Sequence, residues 1–353
     1  MAHIWYKTVM KKPKKAALPV SPAAPELERN WKGKVDSGGA SRADVYIAEN
    51  VGILSRSQIK ARGAVIRVNG RVVKPSRPLK EGEELEVVWT DEAPLGLEAQ
   101  DIALSILYEN DRVIVVDKAQ GMVTHPGAGN RSGTLANAAL AIVERDRMTK
   151  GAVSSHGRAA RGGIVHRLDK DTSGVIIVAK DLDAQSFLAS QFKDRLTRKE
   201  YVAILRGLPE PPSGRISDRL GRDRRDRKRF AFVAEGGKVA ITDYRVLAYW
   251  KDAGRPDAGG EVYSLVSLRP KTGRTHQLRV HMAGLGTPIL GDPIYGRRDG
   301  RFPDATLMLH ALRLKIILPG KEEAELFTAP PPERFKKMIQ ELDRIFYRHS
   351  NTK

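Results

Sequence analysis

The chain has 353 residues, 41% of them hydrophobic and 29% charged, which is enough apolar material for one large core or two smaller ones and excludes a disordered chain. Lysine and arginine outnumber the acids by 61 to 42, and the resulting net charge of +19 points to a protein that works on a polyanion, nucleic acid first. There is no cysteine, so disulfides and thiolate zinc sites are excluded, and no apolar run approaches the ~18 residues of a membrane span.

Residues 1–40 carry Lys11-Lys12-Pro13-Lys14-Lys15, then Pro19, Pro22 and Pro25, then Gly38-Gly39, the composition of a basic flexible tail. The first residues, Met1 to Lys7, lack the apolar core of a secretory signal, so a cytoplasmic location is expected. Residues 41–90 read as a small unit: a helical stretch from Ala43 to Asn50, then Ser55 as N-cap to a segment running through Lys60. A hairpin follows, in which Ile66-Arg67-Val68 and Arg71-Val72-Val73 flank Asn69-Gly70, a dipeptide suited to the positive φ of a type I′ turn. This order resembles the small RNA-binding domain first seen in a small-subunit ribosomal protein. The resemblance implies that Arg56, Lys60, Arg67 and Lys74 face phosphate, and the alternative is that they are ordinary surface charges of a helix and a hairpin.

Residues 91–101 form a linker, and residues 102–350 alternate strands and helices without an internal repeat. The strands are too amphipathic to be doubly buried and all parallel, so the spacing predicts an α+β domain with a mixed, largely antiparallel sheet and flanking helices. Strands are expected at residues 112–116, 175–179, 201–205, 242–247 and 262–268, and helices at 134–144, 183–196, 276–285 and 333–347. In the third helix Leu278, His281, Met282 and Leu285 share one face, which makes His281 a packing residue and leaves Arg279 elsewhere. His276 and His281 diverge from one helix face at five residues apart, and no metal site is expected.

Four runs carry the chemistry. Ile164-Val165-His166-Arg167-Leu168-Asp169-Lys170-Asp171-Thr172-Ser173-Gly174 places the Asp169 carboxylate between Arg167 and Lys170 in a turn, followed by an apolar strand. Neighbouring cations keep a carboxylate ionised, and an ionised carboxylate can attack an electrophilic carbon, although on spacing alone the run is also that of a solvated surface turn. Lys199-Glu200-Tyr201 opens a strand, where an aromatic commonly packs in a core. Gly221-Arg222-Asp223-Arg224-Arg225-Asp226-Arg227-Lys228-Arg229 is the densest basic run and is suited to gripping a phosphate backbone. Residues 268–281, Leu-Arg-Pro-Lys-Thr-Gly-Arg-Thr-His-Gln-Leu-Arg-Val-His, are a strand end, a turn and a helix start, readable as a phosphate-binding turn or a basic surface.

These runs, in this order, resemble the signature of the pseudouridine synthase family that acts on ribosomal and transfer RNA. The loop from Asp117-Lys118 to Gly127 and the closing segments Leu309-His310-Ala311 and Phe327 to Pro330 are similar to that family as well, although Asp117 and Ala119 replace the usual Asn and Pro. The resemblance implies Asp169 as nucleophile, attacking C1′ of the ribose or C6 of the uracil. It implies Tyr201 as a platform that stacks on the uracil and assists removal of the C5 proton, and Arg274 as the partner that keeps Asp169 ionised and fills the place of the extruded base. Arg167, Gln277 and Arg279 would support the site, and Arg222, Arg224, Arg225, Arg227, Lys228 and Arg229 would hold RNA.

Isomerisation needs no redox step and no energy donor, and no phosphate-cradling Gly-x-x-x-x-Gly-Lys-Ser/Thr loop is present, so no cofactor is expected. The expected partner is RNA, large-subunit ribosomal RNA favoured over transfer RNA, with no membrane and a monomeric chain. A non-catalytic RNA-binding or assembly factor on the same fold would lack Asp169, Tyr201 or Arg274, and a hydrolytic glycosidase would need a second carboxylate, for which Asp171 is the local candidate.

Overall fold

In the computed structural model apolar strand and helix residues build two units, divided between Gly96 and Leu97, with one apolar cluster in the first and two large ones in the second. The structure describes residues 27–36, 41–54, 56, 59, 63–91, 97–127, 129–150, 160–223, 225–226, 228–251 and 261–350.

The first unit has β1 (Leu27–Lys34), a short helix α1 (Ala43–Tyr46) that widens into a π turn over Ile47–Val51, β2 (Val65–Val68), β3 (Arg71–Val73) and β4 (Glu84–Asp91). The strands lie antiparallel in the order β1-β4-β2-β3. Asn69 and Gly70 adopt φ of 49° and 76°, so the hairpin turns as its dipeptide requires. Part of the expected tail is corrected: residues 27–34 are a strand, because every residue from Leu27 to Lys34 pairs along β4 and Trp31 packs on the Ile47, Ile66 and Val87 core. The sequence hid it because Lys and Gly alternate with that single Trp.

The second unit is one large mixed sheet. Its strands are β5 (Ser105–Glu109), β6 (Val113–Lys118), β7 (Ser173–Ala179), β8 (Arg198–Arg206), β9 (Ser213–Arg222), β10 (Phe230–Phe232), β11 (Lys238–Lys251), β12 (Val262–Pro270), β13 (Leu309–Ile317), β14 (Ala324–Thr328) and β15 (Tyr347–Ser350). They run in the order β10-β9-β11-β12-β8-β13-β7-β6-β5, with β14 on β13 and β15 on β11. The pairing is antiparallel except between β7 and β13. The helices are α2 (Leu135–Lys150), α3 (Leu182–Lys193), α4 (Gln277–Gly284) and α5 (Glu333–Ile345). The α+β class and the mixed sheet are as the spacing predicts. The last helix ends earlier than expected, because Tyr347 leaves it to pair with Lys251. Among the described residues no helix is long and apolar enough to cross a membrane.

β7 lies inside the sheet between β13 and β6, all seven residues buried, and places the end of the Asp169 turn against β13. Gly174 makes that approach possible: its φ is +115°, and a Cβ there would lie 2.2 Å from the Ala311 carbonyl oxygen. Gly174→Ala is therefore expected to cost about 3 kcal/mol, from strain and the forced separation of the two strands. The urea unfolding midpoint measures it.

Two histidines are sealed in this unit. His281 bonds Thr242 and His310 bonds Ser173, and burial pushes each imidazole down to about 4 from an ordinary 6.5. The unfolded chain takes up these protons near pH 6.5 while the folded one refuses them until about pH 4. The pair's contribution is thus complete above pH 6.5 and is lost as pH falls toward 4, by about 1.4 kcal/mol per histidine per pH unit. Unfolding midpoints at pH 7.0 and 5.5 should differ accordingly, and equal midpoints would contradict it.

Candidate active site

The turn before β7 is held by bonds to its backbone rather than by its own side chains. The His166 imidazole accepts the Ile177 amide at 3.1 Å and stacks on Phe192; burial keeps it neutral, pushing it down to about 3, so its ring nitrogen is free to accept. Thr124 donates to the Leu168 carbonyl at 2.8 Å, and the Thr172 amide returns to the Asp169 carbonyl at 3.1 Å. The Lys118 ammonium, fully buried at the end of β6, donates to the carbonyls of Ala119, Met122 and Lys170 at 3.0, 2.8 and 3.1 Å. Burial drives it down to about 8 against the pull of Asp169 and Asp171. One cation thereby ties the loop at residues 119–122 to the carbonyl next to Asp169.

The Asp169 side chain is 21% exposed, and its Oδ2 lies 3.5 Å from Nη1 of Arg279. Arg279 is buried on α4 and forms a fork on Asp292, Nε to Oδ2 at 2.8 Å and Nη2 to Oδ1 at 2.7 Å. Burial alone would raise the Asp292 carboxyl, but the bonds from Arg279 and the amides of Ile294 and Tyr295 outweigh it and hold it below the usual carboxylate range. The guanidinium plane also covers the Tyr295 ring at 5.2 Å. The fork and the ring fix Arg279 with its remaining nitrogen turned to Asp169.

Two expectations are corrected here. The ion-pair partner of Asp169 is Arg279, not Arg274, whose Nε donates instead to the Val239 carbonyl at 3.1 Å while its amide bonds Gln277. The flanking Arg167 and Lys170 are exposed, and neither forms an ion pair with Asp169. The reason is helix phase: from its left-handed start at His276, φ 55°, α4 turns Gln277 to Arg279 inward and leaves position 274 on the turn outside. Gln277 is an internal brace, accepting from Thr272 Oγ1 and the Arg274 amide and donating to the Ile241 carbonyl and Thr242 Oγ1.

Together these elements enclose a cavity of about 450 Å³, lined by residues 165–169, 172, 192–193, 195, 197, 199, 201, 270–279 and 309. Asp169, Tyr201, Arg167, Arg274, Gln277 and Arg279 all contribute to it. Asp169 is the one carboxylate among the lining residues, facing seven cations: Arg167, Lys193, Arg195, Lys199, Lys271, Arg274 and Arg279. The Tyr201 phenol, raised by burial and then by the nearby Asp169 charge, stays protonated.

Beside the cavity, the end of β9 and its connection to β10 carry the basic run. Arg222, Arg225, Lys228 and Arg229 are exposed, with Arg222 over the Phe230 ring at 5.5 Å and Arg229 over Tyr295 at 5.3 Å. Arg224 and Arg227 lie outside the described residues, as does Lys60. In the first unit Arg56 is paired with Asp44 at 3.1 Å and Arg67 with Glu86 at 3.6 Å, and Lys74 is exposed. Sequence reasoning assigned nothing to Lys118, Asp292, Tyr295 or Lys199. Asp292 and Tyr295 stand in a segment, residues 285–308, without helical or strand periodicity, and no spacing rule joins them to Asp169.

A family model described as RNA pseudouridylate synthase matches residues 112–284. The chain is 41% identical over 302 residues to ribosomal large subunit pseudouridine synthase D of Borreliella burgdorferi, covering 84% of this chain and 88% of that protein. It is 34% identical to the chloroplastic RNA pseudouridine synthase 2 of Arabidopsis thaliana, covering 87% and 81%. Among solved structures, human RNA pseudouridylate synthase domain containing 1 superposes with a TM-score of 0.51 at 30% identity, covering 71% of this chain and 91% of that one.

Proposed function

This chain belongs to the RNA pseudouridine synthase family, and we propose that it isomerises a specific uridine of large-subunit ribosomal RNA, with Asp169 as nucleophile. The observation that carries the site is the lone Asp169 carboxylate, held by the buried Arg279 inside a cavity whose other lining charges are lysines and arginines. The ribosomal substrate is read from relatives with that name.

In the reaction the bond from C1′ to N1 breaks and a bond from C1′ to C5 forms, while the C5 proton leaves and N1 gains one. Asp169 supplies the electron pair for a covalent adduct, at C1′ or at C6, and recovers it when the adduct resolves. Arg279 pairs with that carboxylate and aims it. Tyr201 acts as a neutral phenol, a face for the uracil rather than a base, since burial and Asp169 both oppose its ionisation. Arg167 and Arg274, at the rim, meet the RNA strand, as do the cations at the end of β9 and in its connection to β10, and those of the first unit. Extruding the base costs a few kcal/mol, which these interactions offset. A hydrolytic reading is disfavoured, because Asp171 does not line the cavity and no second carboxylate does. The cytoplasm is the compartment where such RNA is met, and a single copy of the chain carries every residue of the site.

The test is direct: transcribed large-subunit ribosomal RNA and transfer RNA are incubated with the protein and pseudouridine is mapped at single-nucleotide resolution. One modified position in the ribosomal transcript is expected, and modification confined to transfer RNA would refute the substrate. Removal of residues 1–90 is expected to weaken RNA binding and to flatten its dependence on the logarithm of salt concentration, by about 0.9 for each duplex phosphate that the shortened chain leaves unneutralised. An unchanged slope would take the first unit out of RNA binding.

A further inference from the structure

The Lys199 ammonium is a charge in the catalytic cavity that no protein group answers. It lines the cavity from β8, and among the described residues it has neither a hydrogen bond nor an ion pair, although its nitrogen is not sealed from the open space. Three other cations of the lining are engaged: Arg279, buried, with Asp292 and Asp169, and, nearer the rim, Lys271 with Asp243 at 3.3 Å and Arg274 with the Val239 carbonyl. Near Lys199 lie the neutral His166 imidazole and Gly273, where an added Cβ would lie 3.8 Å from the ammonium. Burial lowers its hold on its proton, with no anion to restore it. A half-buried, unpaired cation costs free energy in the empty protein, and a ligand carrying the anion removes that cost.

The strand supplies the spacing. Lys199 precedes Tyr201 by two residues, so both side chains leave the same face of β8 about 6.6 Å apart. That separation is comparable with the span from a nucleobase to a phosphate on its own ribose, and every nucleotide of the substrate carries one such charge. We propose that Lys199 seats a phosphodiester of the nucleotide being isomerised, fixing the ribose while the uracil lies against Tyr201. This rests on the reading of the Asp169 cavity as the nucleotide site. With the phosphate anchored, the sugar stays in place while the freed uracil turns to present C5, a step in which no glycosidic bond holds the two together.

The test compares binding of uridine, uridine 3′-monophosphate and uridine 5′-monophosphate to the full chain by titration calorimetry at low salt, in the wild type, Lys199→Gln and Lys199→Arg. The wild type is expected to bind one monophosphate about tenfold more tightly than uridine, the worth of one hydrogen bond to a charged group. Lys199→Gln should abolish that preference while leaving uridine affinity unchanged, and Lys199→Arg should retain most of it. A preference that survives Lys199→Gln, or no preference in the wild type, overturns the proposal. So does weaker binding of uridine itself in Lys199→Gln, which would put the ammonium on the uracil carbonyls. Failure of uridine to compete with any ligand, together with full turnover by Asp169→Asn, would instead remove the cavity assignment and the proposal with it.

Discussion

Asp169→Asn is expected to lower the rate of uridine isomerisation by about 10⁴-fold or more, the scale seen when a covalent nucleophile is removed. RNA affinity should change by less than about threefold, because cavity and rim keep all seven of their cations. The fold should also be unharmed: Arg279 retains its fork on Asp292, so no buried charge is left without a partner. Single-turnover assays with pseudouridine detection, run beside filter binding and urea unfolding, separate the three quantities. Turnover within tenfold of the wild type would show that Asp169 is not the nucleophile.

Arg279→Met should fail differently, in stability and chemistry together. It removes the one side-chain partner of Asp292, a carboxylate 3% exposed, which keeps only the amides of Ile294 and Tyr295. Leaving one member of a buried pair uncompensated costs about 3–5 kcal/mol. The same change strips Asp169 of its cation, so isomerisation should be lost even where the protein is folded. Arg279→Lys distinguishes the two effects, since an ammonium can satisfy Asp292 but lacks the planar fork that reaches Asp169 at the same time. Its unfolding midpoint should recover most of the loss, while its turnover stays about a hundredfold down, as expected of a misplaced catalytic group. Activity in Arg279→Met equal to the wild type would refute the pairing. In Arg274→Met, by contrast, the Asp169 pair remains and the fold loses one exposed bond to Val239, so stability should change by less than about 1 kcal/mol.

Much of this molecule could be read along the chain. The alternation at residues 242–247, the apolar runs at 175–179 and 201–205 and the Asn69-Gly70 turn each announce a local conformation, because period and turn chemistry act between near neighbours. The segment 27–34 stayed hidden, since its strand character comes from the partner β4 rather than from its own alternation.

The site divides along the same line. Resemblance singled out residues 169, 201 and 274 as catalytic and 167, 277 and 279 as supporting, and all six line the cavity. Which arginine meets the carboxylate was decided by tertiary structure alone. A turn motif shows that cations lie near in sequence, yet Arg167 and Lys170 point to solvent, and the charge that reaches Asp169 arrives from α4, held there by Asp292. An ion pair in a partly buried site depends on distances of about 3 to 4 Å and on who else is bonded, and those are set by how helix and sheet pack. The sequence determined by itself the strands at 175–179, 201–205, 242–247 and 262–268, the Asn69-Gly70 turn and the residue types present; pairing with β4 made the strand at 27–34, and the phase of one helix against the sheet chose the partner of Asp169.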